Sequence, residues 1–100
     1  MEPWQKEIIG RMVGEIDDFR AGRLSLGRLV DHARGLFEAA DISDIRIRDD
    51  FEAAWAPVDA QHELRTESWS RPEWISHSNL EAALTDLRNW ASQTSSPGSS

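Results

Sequence analysis

The apolar residues of this chain recur every three or four positions, and that spacing constrains the fold more than any other feature. Trp4, Ile8, Ile9, Met12, Val13, Ile16 and Phe19 mark one face of a helix. With Pro3 suited to a first turn and Gly22 to a C-terminal stop, the first helix is expected over roughly 3–21. Ser25 then stands as an N-cap before Leu26, Leu29, Val30, Ala33, Leu36, Phe37 and Ala40, which predicts a second helix over about 25–40. The short segment between them, "GRLS", makes the pair an antiparallel hairpin.

The next stretch opens with "DIRIRD", which alternates like a strand but has no strand partner elsewhere. Ile47, Phe51, Ala54, Trp55 and Val58 continue at helical spacing, so a third helix is expected over about 44–67. Pro57 removes the hydrogen bond to the Ala53 carbonyl and is expected to kink or break that helix, at a cost of about 3 kcal/mol. After the irregular "SWSRPEWISH", Ser78 and Glu81 have capping-box spacing. They introduce a fourth helix with Leu80, Ala83, Leu84, Leu87, Trp90 and Ala91 as its apolar face. The polar end "SQTSSPGSS" has nothing to bury, so 1–92 is expected as one helical domain and 93–100 as a disordered tail. The fold class is therefore all-α, an antiparallel four-helix bundle.

The 100 residues include no cysteine, which removes disulfides, thiolate metal sites and a cysteine nucleophile together. The start "MEPWQKEIIG" lacks a cationic segment followed by an apolar run, and no window approaches a membrane span, so an unexported cytoplasmic protein is expected. The net charge of -7 is unevenly placed: residues 41–67 hold eight acids against three bases, which is -5 of the total. A field of that sign repels nucleic acid and anionic membrane and attracts cationic proteins or metal ions.

Within that segment, "VDAQHELRTESW" gathers Asp59, His62, Glu63 and Glu67. The carboxylate of Asp59 and the imidazole of His62 share a helix face, as in bundle di-iron sites, but such sites need the pattern twice and here it occurs once. No Gly-rich phosphate loop, Gly-x-Ser-x-Gly elbow or His-Glu-x-x-His is present, so neither a metal, a cofactor nor an enzymatic activity is expected. A partner surface fits better. At 100° per residue, and taking Asp59 as zero, Glu52 falls near +20°, Glu63 near +40°, and Asp49 and Glu67 near +80°. These acids form one stripe, with Trp55 and His62 on its border with the buried face. Asp49, Glu52, Asp59, Glu63 and Glu67 are thus the candidate charges, and Trp55, His62 and Trp69 the candidate anchors. The plainer reading is a solvated acidic face that keeps a small domain soluble.

The order of helices, with "IDDFRAGRLSLGRLVDHARGLFEA", then the acidic "FEAAWAPVDAQHEL", then a Trp-flanked loop and a short last helix, resembles a known family. It is similar to the small helical immunity proteins of bacterial polymorphic toxin and contact-dependent growth inhibition systems, of the colicin D immunity type. The likeness spans residues 5–92 as a pattern of helix lengths and phases, and "FRAGRLSLGRL" is its most specific part. The resemblance implies a monomer that binds and neutralises a cognate basic toxin, expected to be a nuclease with RNA among its candidate targets, by covering its active cleft. It carries over no individual residue. A second reading is a helical interaction module that meets another helix through Trp69 to Ile75, and a third is a metal-dependent enzyme.

Overall fold

Local sequence signals set the ends of each helix. The computed structural model describes residues 1–66 and 77–96. Helix α1 spans Pro3–Arg20, with Pro3 in its first turn and the Glu2 N–H donating to Gln5 Oε1 at 2.8 Å. It ends in a Schellman motif: Gly22 adopts φ 81°, its N–H reaches the Phe19 carbonyl at 3.0 Å, and the Arg23 N–H reaches the Asp18 carbonyl at 2.9 Å. Helix α2 spans Leu26–Ala39, and Ser25 Oγ accepts from the Arg28 N–H at 3.3 Å. Its exit is less usual, because Asp41 carries φ 51°. Gln5 stitches that exit to α1, donating from Nε2 to the Ala40 carbonyl at 2.9 Å.

Helix α3 spans Ile45–Thr66, capped by Asp44, whose Oδ1 accepts from the Arg46 N–H at 2.9 Å. The alternation in "DIRIRD" resolves as its first turns. Pro57 does not break α3, which runs through it. The reason is its placement: Pro57 and Ala53 are both exposed, so the carbonyl that loses its amide partner faces water rather than the core. Helix α4 spans His77–Ser95. It begins one residue before Ser78, so Ser78 lies inside the first turn and is not the cap. Its other end extends through residues 93–95, expected in the polar tail, and Ser95 Oγ lies 3.5 Å from where a Cβ on Gly10 would stand.

The four helices form an antiparallel bundle closed as a ring: α1 touches α2 and α4, and α3 touches the same two. Direction follows from the paired ends. Arg20 at the end of α1 meets Glu81 at the start of α4, and Gln5 meets Ala40. No strand occurs among the described residues. The core takes Ile9, Met12 and Ile16 from α1, Leu29, Val30, Ala33 and Phe37 from α2, Phe51 and Val58 from α3, and Leu80, Leu84 and Leu87 from α4. Between α2, α3 and α4 the filling is aromatic. Phe37 and Phe51 stack with centroids 4.1 Å apart, and Trp90 packs against both at 6.0 and 5.4 Å. Burial of these rings adds a large apolar area to that contributed by the aliphatic core.

Candidate functional site

The outer flank of α3, on the side facing α2, holds most of the residues that sequence periodicity assigns to a partner surface. Phe51 and Val58 turn inward and fix the rotation of the helix. That rotation leaves Asp49, Glu52 and Glu63 exposed and Asp59 half-buried. Asp49, Asp59 and Glu63 form no ion pair among the described residues. None of the three is neutralised by a cation at contact distance, so their charge adds to the negative field of this surface.

Glu52 differs. Arg34 of α2 reaches across and pairs with it through Nη1, while Nε of the same guanidinium binds Glu38 Oε1 at 3.3 Å. The Arg34 Cζ also sits 5.1 Å from the centroid of the Trp55 ring. One cation is held by two carboxylates and an aromatic face, and it divides the acidic flank into two parts.

The two expected anchors are also engaged internally. Trp55 is half-buried, and its Nε1–H donates to the Val30 carbonyl at 3.0 Å, fastening α3 to α2. Its ring lies 6.1 Å from Phe51 and belongs to the edge of the core. His62 packs on the first turn of α2, where its Nε2 would stand 3.0 Å from a Cβ on Gly27. Gly27 therefore permits the close approach of the two helices at that point. Both side chains sit on the border between buried and exposed faces, as the helical angles imply. Glu67 and Trp69 lie outside the described residues, as does the whole Trp69 to Ile75 segment expected as an apolar interface, including Trp74.

At the lower part of the flank, a groove of about 410 Å³ opens between the end of α2 and the start of α3. Its lining includes Phe37 and Ile42, both buried, and Ile45, which is 65% exposed. Asp41 and Asp49 stand on its walls with Arg48. Of these, sequence periodicity singles out only Asp49. Asp41 escapes it because the residue lies between helices, and Ile45 because "DIRIRD" reads equally as a strand.

The groups able to do acid–base chemistry do not converge. The described residues contain no group of three or more His, Asp and Glu side chains placed to hold a metal ion. His32 Nδ1 of α2 lies 3.3 Å from Glu15 Oε2 of α1, on the α1–α2 seam rather than on the α2–α3 flank. Asp17 has its carboxyl held below the ordinary range, with hydrogen bonds from Arg88 the main cause and the Arg88 and Arg20 charges adding to it. That pair ties α1 to α4, with Arg88 Nε 3.1 Å from Asp17 Oδ1, and is structural.

No described helix is long and apolar enough to cross a membrane. The chain matches no protein-family model, no curated protein and no solved structure.

Proposed function

We propose that this protein is a non-enzymatic inhibitor that binds a cationic protein, in the manner of an immunity protein neutralising a basic nuclease toxin. The observation that carries the reading is the set of carboxylates on the α2–α3 flank, Asp41, Asp49, Asp59 and Glu63, which the bundle leaves without ion pairs among the described residues. Other acids are engaged by bases: Asp17 with Arg88, Asp18 with Arg23, Glu81 with Arg20, and Glu38 and Glu52 with Arg34. Glu7, Asp31, Asp50 and Asp86 also lack ion pairs among the described residues, but they are spread one to each helix rather than gathered on a flank. Unpaired acids on one face of a rigid scaffold repel one another and contribute nothing to folding. They are suited to a partner whose cleft is built to attract phosphates.

The test takes basic domains encoded beside the gene, assays each for nuclease activity, and adds this protein in increasing amounts. Stoichiometric inhibition of one of them is expected, with an association rate that falls as salt rises, because rim charges act mainly on encounter and are screened over about 8 Å at physiological ionic strength. Replacing Asp49, Asp59 and Glu63 together by Asn or Gln should lower that rate and flatten its salt dependence. Glu52 is left in place because Arg34 holds it. Inhibition of none of these domains, or an on-rate indifferent to both salt and the triple replacement, overturns the proposal.

A further inference from the structure

Resting on that reading, we infer that the groove between the end of α2 and the start of α3 is the docking notch. Its occupant is a basic segment of the partner protein that carries a large apolar side chain beside an Arg or Lys. Two properties of the notch specify this occupant. The first is an apolar strip, in which buried Phe37 and Ile42 are continued outward by Ile45. Ile45 is the most exposed large apolar side chain among the described residues, at 65% against 48% for Trp4 and 44% for Met1. An aliphatic side chain of that size in water at the mouth of a concavity offers area for a partner to cover.

The second property is charge. Four acids, Glu38, Asp41, Asp49 and Glu52, face two bases, Arg34 and Arg48, across the lining. Arg34 is engaged by Glu38 through Nε and by Glu52 through Nη1, so its single charge is already offset by two carboxylates. Asp41 and Asp49 make no ion pair, and Arg48 alone cannot neutralise both. The groove is therefore net negative where it is free, and charge complementarity selects a cation.

The fold also shows how a guanidinium is held on this flank. Arg34 lies between the Trp55 ring and two carboxylates a short distance along the same α2–α3 seam. A partner cation on Asp41 and Asp49 extends the same alternation of acid and base. Asp59 and Glu63, farther along α3, then act on approach rather than on contact.

Two synthetic peptides serve as probes: a helical peptide with Arg and Leu spaced four apart, and an equally charged peptide with Gln in place of each Leu. Binding is followed at physiological salt by amide shifts in a ¹⁵N–¹H correlation spectrum. The Leu peptide should bind at least about tenfold tighter than the Gln peptide, with shifts concentrated over residues 37–52. Ile45→Ser and Asp49→Asn should each weaken the Leu peptide severalfold with an unchanged melt, since both side chains are exposed. Asp59→Asn with Glu63→Gln should affect the two peptides alike.

If the two peptides bind equally and the groove variants change nothing, the notch is overturned while the acidic-flank reading stands. If neither peptide binds even at low salt, both fall.

Discussion

Asp41 is the residue at which the fold and the proposed function pull apart. It follows α2 at φ 51°, a left-handed conformation that Gly adopts freely and Asp tolerates at a cost. For an ordinary L-residue that cost is about 1–2 kcal/mol, and less for Asp or Asn. Its carboxylate also stands at the negative end of the α2 dipole, which disfavours an anion by about 0.3–1 kcal/mol at an exposed site.

Asp41→Asn keeps the backbone preference and removes only the charge, so it should stabilise by about 0.3–1 kcal/mol. Asp41→Gly relieves the backbone as well, but returns part of that gain through the greater freedom of Gly in the unfolded chain. Its net gain should be about 1 kcal/mol. In a domain of this size, a gain of 1 kcal/mol raises Tm by about 4–8 °C. Urea unfolding followed by far-UV circular dichroism measures both changes, with the midpoint rising at unchanged slope. Loss of stability in Asp41→Asn would refute the reasoning, because it would mean that the carboxylate has a stabilising partner in the folded chain.

Other perturbations test the packing and the ion pairs. Phe51→Ala, at a fully buried ring stacked on Phe37, should cost about 3–5 kcal/mol and lower the urea midpoint accordingly. Gly27→Ala should yield little, because the helix-propensity gain of about 1 kcal/mol is offset by crowding against His62; in a His62→Ala background the same change should recover that gain, as a double-mutant cycle will show. Arg88 lowers the Asp17 pKa in the folded state below its ordinary 3.8. The pair's contribution is therefore fully present above that value and disappears as pH falls through the lower folded value. Acid titration of stability should accordingly show a steeper loss at low pH in the wild type than in Asp17→Asn.

The first two helices were legible in the sequence because they carry their own punctuation, whereas the expected cap of α4, Ser78, lies inside that helix. Ser25 caps α2, Gly22 closes α1 with positive φ, and the buried faces follow from the three- and four-residue spacing of residues such as Ile9, Met12 and Ile16. Less legible features depend on contacts between helices. Periodicity places Glu52 in the middle of an acidic stripe, but cannot show that Arg34, 18 residues earlier, folds onto it. It puts Trp55 on a boundary, but not with its indole N–H on the Val30 carbonyl. Pro57 misleads for a related reason: the cost of its missing hydrogen bond depends on which way the freed carbonyl faces, and that is set by the rotation Phe51 and Val58 impose.

The Arg34 cluster also bears on how an acidic surface can coexist with a stable bundle. Along the α2–α3 seam the acids are crowded enough to repel one another, and self-repulsion of this kind destabilises a compact state. Arg34 relieves it where the two helices lie against each other, by pairing with Glu38 and Glu52 while its guanidinium covers the Trp55 face. The compensation is local. Asp41 and Asp49 on one side, and Asp59 and Glu63 on the other, are left uncompensated without loosening the seam itself. Beneath the Arg34 guanidinium the Trp55 ring packs on Phe51, which in turn meets Phe37 and Trp90, so the seam has an apolar footing while the unpaired acids remain on the outer surface. Removing Arg34 would join the two acidic regions into one continuous field, and would do so at the expense of one of the contacts between α2 and α3, leaving the Trp55 hydrogen bond to Val30 and the Phe37–Phe51 stack to hold the seam.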